Sequence, residues 1–243
     1  LEEYKKFLKK INYIVEEGPA FKIKTSNIDK EISTICGPQL VVPITNARFA
    51  INAVNARWGS FYDALYGTNA LGDMPEDNSY NHERGKKVIA FAKSHLDKFA
   101  PLQYTKWQEI NKIQLIKNKI VLSSSNNHNI NLENDNQIVG WRIDTNSLLS
   151  ELILLKNNLH CRILINANDE IGKNDPANIS DILVESAIST ILDCEDSVAT
   201  VDADDKIVAY RNWLGLIKGD LETEFKKNNQ VIKRRLSKDL KFT

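Results

Sequence analysis

The sequence predicts an α/β fold in which a mostly antiparallel α+β domain is inserted between two strand-then-helix units. Residues 40–44 form a continuous apolar, β-branched run, and the helix-capping residue Asn46 follows it. Residues 190–193 form a second such run, and a second helix-capping residue, Asp202, follows it. Between them, residues 110–165 contain short strand patterns separated by turn residues. Strand-then-helix units are typical of parallel sheets and short hairpins of antiparallel ones, so the order indicates an insertion.

The first part of the chain predicts helices around one buried strand. Apolar residues recur at i, i+3, i+4 and i+7 over residues 1–15, and Gly18 and Pro19 end this helix. Residues 40–44 predict a strand buried on both faces, because they are apolar without alternation. Further helices are predicted from Asn46, at residues 60–66 and at residues 83–99, where Pro101 stops the last of them.

The middle of the chain predicts a meander of strands. The expected strands are residues 110–114, 119–122, 137–142, 152–155 and 159–165. Lys117 and Asn118 join the first two, and residues 156–158 (Lys-Asn-Asn) join the last two as a hairpin loop.

The last part predicts a return to the strand-then-helix pattern. Asp175 and Pro176 indicate a helix at residues 179–188, before the buried strand at 190–193. Asp202 caps another helix that Gly219 closes. A charged connection at 222–229 and a strand at 230–236 follow.

Composition excludes several functional classes. Lys plus Arg and Asp plus Glu each number 32, so no net field attracts nucleic acid or an anionic membrane. No apolar run approaches the roughly 20 residues of a membrane span. Three widely spaced cysteines argue against a disulfide framework and for a cytoplasmic location. The chain starts at Leu1 and not at a methionine, so we expect it to begin within a longer protein.

Acidic residues cluster where the second buried strand ends. Asp193, Glu195 and Asp196 lie within four residues. In parallel α/β folds, carboxylates at this end of a strand face the ligand crevice, and crowded acids favour a divalent cation held through oxygen. Magnesium keeps several waters, so such acids can act through water. A solvated acidic turn explains the same residues, and the pattern leaves both readings open.

Two basic positions are candidates for phosphate binding. Arg48 and Phe49 lie in the first turn of a helix above the end of the first buried strand, where an Arg can pair with phosphate and a Phe can pack beside a flat ring. Arg234 and Arg235, with Lys233, could clamp phosphates in the same way. The alternatives are a surface Arg with a core Phe, and charges on an edge strand.

Two long stretches resemble malate synthase G. The first is residues 37–50 (GPQLVVPITNARFA), continued at 55–60 (NARWGS) and 62–67 (YDALYG). The second is residues 190–199 (TILDCEDSVA), continued at 209–216 (AYRNWLGL). The resemblance implies a TIM (β/α)8 barrel with an N-terminal helical clasp, an inserted α/β domain and a C-terminal plug. It divides the chain into residues 1–38 (clasp remnant and linker), 39–57 (first barrel segment), 58–186 (inserted domain), 187–218 (second barrel segment) and 219–243 (return to the inserted domain).

The resemblance also implies an activity and its residues. The family condenses acetyl-CoA with glyoxylate and water in the glyoxylate cycle, and releases malate and CoA with the help of Mg²⁺. The positions that match acetyl-CoA contacts are Val41, Arg48, Phe49, Ser197 and Arg234. Glu195 and Asp196 match acids that hold metal-bound waters.

The family's glyoxylate-binding Arg, direct metal ligands and catalytic base come later than Thr243. We therefore expect no catalytic residue in this chain and no synthase activity from the chain alone. The implied full-length enzyme is a monomer without nucleic-acid or membrane partners, and the chain itself is expected to self-associate through exposed strand edges. The alternative is a stand-alone, non-catalytic ligand-binding or interaction module derived from the family.

Overall fold

A computed structural model describes residues 1–75, 79–126, 128–194, 199–227 and 230–237. The helices are α1 (Glu2–Lys10), α2 (Lys30–Ser33), α3 (Ala47–Asn55), α4 (Phe61–Tyr66), α5 (His82–Phe99) and α6 (Ala203–Lys218). The strands are β1 (Gln39–Pro43), β2 (Trp58–Ser60), β3 (Ile110–Ile116), β4 (Lys119–Ser124), β5 (Asn129–Ile130), β6 (Ile138–Ile143), β7 (Leu149–Lys156), β8 (Leu159–Ile165), β9 (Ile179–Glu185), β10 (Ser189–Asp193), β11 (Glu222–Lys227) and β12 (Gln230–Arg235).

The described strands form a mixed α/β structure in which antiparallel pairing predominates. A five-stranded sheet has the order β2-β9-β8-β7-β6, and a three-stranded sheet has the order β3-β4-β5. Both are antiparallel throughout, as is the separate β11–β12 hairpin. The parallel pair is β1 with β10. This arrangement confirms the predicted antiparallel middle of the chain.

Two hairpins of the middle region close with two-residue turns at the predicted places. Lys117 and Asn118 have φ angles of 49° and 63°, and Asn157 and Asn158 have φ angles of 52° and 63°. Positive φ at both central residues is the geometry of the type I′ turn, which matches the twist of paired strands and is favoured by Asn. The β3–β4 and β7–β8 hairpin predictions are therefore confirmed.

One hydrophobic core lies between α4, α5 and the two antiparallel sheets. It contains Leu96 of α5, Leu154 of β7 and Ile163 of β8, all fully buried. Trp107 is also fully buried, and its indole Nε1 donates a 2.7 Å hydrogen bond to the Ala100 carbonyl. The buried residues of this core come from segments other than β1 and β10.

A second, smaller core covers one face of the β1–β10 pair. Ile44, Ala50 of α3, and Ala209 and Leu216 of α6 are buried together. The opposite face is open, because Val41 is 61% exposed and its partner in register Ile191 is 46% exposed. The prediction that these strands are buried on both faces is wrong for the described residues, since α3 and α6 pack on the same side.

Three element predictions are also wrong. In the predicted helix at residues 179–188, residues 179–185 form strand β9 instead, because hydrogen bonding to β8 and β2 on both sides outweighs a helix-like apolar spacing. Asp175 accepts hydrogen bonds from the amides of Ala177 and Ile179, and so caps a turn and not a helix. Residues 222–227 form a strand and not a charged connection, and α1 ends at Lys10 with no buried residue.

The cysteines differ sharply in their surroundings, which predicts selective labelling. Cys161 in β8 is buried, and burial raises the pKa of its thiol to about 12, whereas Cys36 is exposed. Because the thiolate is the reactive form, we expect iodoacetamide at pH 8 to modify Cys36 in the folded protein and Cys161 only after unfolding. Mass spectrometry of labelled peptides measures this. Equal labelling of the two cysteines in the folded protein would contradict it.

No helix among the described residues is long and apolar enough to cross a membrane.

Candidate functional site

The candidate site lies where β1 ends and α3 begins. The amide of Ile44 donates to the Asp193 carbonyl at 2.9 Å, which extends the β1–β10 pairing to the ends of both strands. Asn46 then caps α3, because its side-chain oxygen accepts a 3.2 Å hydrogen bond from the Phe49 amide. Arg48 and Phe49 therefore lie in the first helical turn above the end of β1, as predicted.

Helix α6 is fixed to the same strand end. The side-chain amide of Asn212 donates to the carbonyls of Ile44 at 2.8 Å and Thr45 at 3.2 Å. At the start of α6, the Asp202 carboxylate accepts a 2.9 Å hydrogen bond from the Asp205 amide. The acids of this first turn therefore stabilise the helix terminus and are not part of the site.

The β11–β12 hairpin packs on α3 and is tied to it by one residue. Asn55, the last residue of α3, donates from its side chain to the Arg235 carbonyl at 2.9 Å and accepts from the Ser237 amide at 2.8 Å. These two bonds fix the end of β12 to the end of α3. Sequence reasoning missed Asn55, because a helix C-terminus carries no signal for a partner so distant in the chain.

The Arg48 side chain lies over an aromatic ring of this hairpin. Its guanidinium carbon is 4.5 Å from the centroid of the Phe225 ring and 5.8 Å from that of Phe49. Both distances are within the range of a cation–π contact. Phe49 is exposed, so its alternative interpretation as a core residue is wrong.

Arg234 lies on the same hairpin, in β12. It is exposed and pairs in register with Thr223, while its neighbours Lys233 and Arg235 form ion pairs with Glu222 at 2.5 Å and 3.1 Å. Within the described part of the chain, neither Arg48 nor Arg234 has a carboxylate within 4.0 Å. Among the described residues, these two guanidinium groups are therefore candidates for binding an anionic ligand.

The remaining predicted residues divide into one that is described and three that are not. Val41 lies on the open face of β1. Glu195, Asp196 and Ser197 lie outside the described residues. The residues on either side are held together, since the amide and the hydroxyl of Thr200 donate to the Cys194 carbonyl at 2.9 Å and 3.3 Å. In the described ranges, no group of three His, Cys, Asp or Glu side chains is arranged to hold a metal ion.

A buried ion pair joins this site to the five-stranded sheet. Glu185 of β9 accepts hydrogen bonds from Arg57 Nε at 3.0 Å and Nη2 at 2.7 Å, and from the His160 amide at 2.7 Å. Arg57 lies two residues after the end of α3 and also donates to the Ile188 carbonyl at 3.4 Å. Sequence reasoning missed this pair, because Glu185 was predicted to lie on a helix.

Comparison with known proteins gives one consistent family. Residues 80–157 match the family model described as "Malate synthase G, alpha-beta insertion domain". Nearly the whole chain, 99% of it, aligns at 44% identity with a protein named malate synthase G from Halalkalibacterium halodurans. Malate synthase G of Corynebacterium glutamicum aligns with 98% of the chain at 46% identity. Malate synthase G of Corynebacterium efficiens aligns with 99% of the chain at 44% identity.

The family that this chain matches is malate synthase G. The resemblance found in the two strand-then-helix stretches is thereby confirmed, and it extends over almost the whole chain. The chain spans about a third of the length of these malate synthase G proteins, covering 33% of one and 32% of the other two.

Proposed function

We propose that this chain forms part of a malate synthase, an acyltransferase that condenses acetyl-CoA with glyoxylate and water to give malate and CoA. The observation that carries the proposal is the pair of available guanidinium groups, Arg48 and Arg234, on the hairpin side of α3. The similarity to malate synthase G is the reason for proposing acetyl-CoA as the ligand of these two groups.

The chemistry of acetyl-CoA suits these residues. Coenzyme A carries a diphosphate and a 3′-phosphate, and an Arg guanidinium binds phosphate oxygens through parallel, charge-assisted hydrogen bonds. In the proposal Arg48 and Arg234 bind these phosphates, while Phe49 packs against a flat part of the ligand. Val41 and Ser197 complete the acetyl-CoA contacts.

The proposed role of magnesium rests on the similarity to malate synthase G alone. The bound ion would polarise the glyoxylate carbonyl for attack by the acetyl carbanion. Glu195 and Asp196 are proposed to accept hydrogen bonds from waters on that ion, while its direct ligands, the glyoxylate-binding Arg and the catalytic base belong to other parts of the enzyme. We also propose a cytoplasmic location and no nucleic-acid or membrane partner.

The domain division is part of the same proposal. Residues 39–57 and 187–218 would be segments of a (β/α)8 barrel, and residues 58–186, with 219–243, the inserted domain. The parallel pairing of β1 with β10, with α3 and α6 on one face, supports the barrel assignment. In a closed barrel, the open face bearing Val41 and Ile191 would point inward.

Calorimetric titration with acetyl-CoA tests the binding role. We expect Arg48→Ala and Arg234→Ala each to weaken binding about tenfold, because each removes one charge-assisted contact to phosphate. Arg142→Ala is the matched control, since Arg142 is an exposed Arg on the edge strand β6 and should leave affinity unchanged. Equal affinities of all four proteins would contradict the proposal.

The isolated chain is expected to lack synthase activity and to self-associate. Acetyl-CoA-dependent thiol release with glyoxylate measures the first, and detectable release would contradict it. The open strand edges of β1 and β10 favour pairing between copies. Size-exclusion chromatography with light scattering should then show a dimer, and a monomer at all concentrations would contradict the self-association.

A further inference from the structure

Phe225 is the residue that Arg48 contacts most closely among the described aromatic rings. The guanidinium carbon lies 4.5 Å from the Phe225 centroid, against 5.8 Å for the neighbouring Phe49. A guanidinium over a ring face is attracted by the ring quadrupole. Stacking leaves the edge of the guanidinium, where its N–H groups point, available to a ligand.

The register of the hairpin puts Phe225 and Arg234 on one face. Phe225 pairs with Ile232, and Thr223 pairs with Arg234. Directly paired residues of antiparallel strands share a face, and the residue two positions along shares it as well. Phe225 and Arg234 are therefore diagonal neighbours, whose backbones are about 7–8 Å apart in such a ladder.

The position of this face relative to Arg48 is set by α3. Phe225 is half-buried in the packing of β11 on α3, and Asn55 ties the far end of the same helix to Arg235 and Ser237. The ring under Arg48 and the strand that carries Arg234 are thus both held against α3. A free Arg side chain would otherwise distribute itself over many rotamers before binding.

We propose that Phe225 is a positioning residue, which holds the Arg48 guanidinium beside Arg234 so that both cations meet the phosphate groups of one ligand. This inference rests on the proposed binding of acetyl-CoA. Phe225 itself contacts Arg48 and acts through it. The ring preorganises the two cations before the ligand binds, which reduces the entropy lost on binding.

The positioning role of Phe225 is tested by measuring coenzyme A affinity by calorimetry in one variant that removes the ring and one that keeps it. Phe225→Leu keeps an apolar side chain and should weaken binding about fivefold, as expected for the loss of a preorganised contact. Phe225→Tyr keeps the ring and should bind within about twofold of the unmodified chain. In the Arg48→Ala background, Phe225→Leu should cause no further loss, because the residue acts through Arg48.

A ligand-free measurement separates this inference from the proposed function. The Nε–Hε resonance of Arg48 should show a ring-current shift that is retained in Phe225→Tyr and lost in Phe225→Leu. Absence of that shift overturns the positioning role, as does coenzyme A affinity in Phe225→Leu equal to that of the unmodified chain. A chain that shows the shift but gives no binding heat with coenzyme A overturns the proposed binding of acetyl-CoA by these residues instead.

Discussion

Replacing Lys93 with methionine is expected to lower the free energy of unfolding by about 3–5 kcal/mol. The Lys93 ammonium lies 2.5 Å from an Asp175 carboxylate oxygen, and the two side chains are 2% and 1% exposed. Methionine fills a similar volume but removes the positive partner, so the Asp175 charge stays buried with the amides of Ala177 and Ile179 as its donors among the described residues. Urea denaturation followed by circular dichroism measures the change.

The double variant Lys93→Met, Asp175→Asn distinguishes this cause from simple loss of packing. The asparagine carbonyl can still accept from the two amides, and no charge is left in the core, so we expect recovery of part of the loss. Lys86→Met is the control on the same helix, because the Lys86 side chain is 73% exposed and pairs with Glu83 at the surface. It should leave the denaturation midpoint unchanged. A Lys93 variant as stable as the Lys86 variant would refute the buried-pair argument.

Much of the fold was predictable because its signals are local. The Asn-containing turns that close two hairpins need positive φ, and this requirement is visible in the sequence. Caps at Asn46, Asn81 and Asp202 mark the starts of α3, α5 and α6. Strand β9 was mistaken for a helix because its apolar spacing suits either structure, and only its two neighbouring strands decide between them.

The site was predictable in its residue types and not in its arrangement. Arg48 and Arg234 were predicted from the resemblance, but it is the β11–β12 hairpin that relates them in the fold, since it carries Arg234 and its Phe225 ring lies against the Arg48 guanidinium. Residues 222–229 were interpreted as a charged connection, because their Glu and Lys residues suggest solvent exposure, whereas the strand predicted at 230–236 is present as β12. The alternation of exposed charge with Thr223 and Phe225 in β11 is a strand signal that was present and was outweighed.

Replacing Arg57 with methionine is expected to lower the free energy of unfolding by about 3 kcal/mol. Glu185 is 2% exposed at its side chain, and Arg57 supplies two of the hydrogen bonds that compensate its buried charge. Without Arg57, the donors to this carboxylate among the described residues are the His160 amide and, at 3.4 Å, the His160 ring. Guanidinium chloride denaturation measures the loss.

Arg57 also connects the candidate site to the larger core, so replacing it should change the cooperativity of unfolding as well as the stability. Its guanidinium bonds to β9 through Glu185 and to the Ile188 carbonyl just before β10, and Arg57 itself follows α3 closely. Arg57→Met, Glu185→Gln should recover stability, because the buried charge is removed, while the Arg57 side-chain link to β9 stays broken and the Ser186 hydrogen bonds to the carbonyls of Ala56 and Arg57 remain. We therefore expect the free energy of unfolding of the double variant to depend less steeply on denaturant concentration, because the two cores would no longer unfold together.

Glu109→Gln, at an exposed acid, is the control and should keep both the stability and this slope. A double variant with the unmodified slope would mean that the two cores are coupled by other contacts, and that the Arg57–Glu185 pair contributes stability alone.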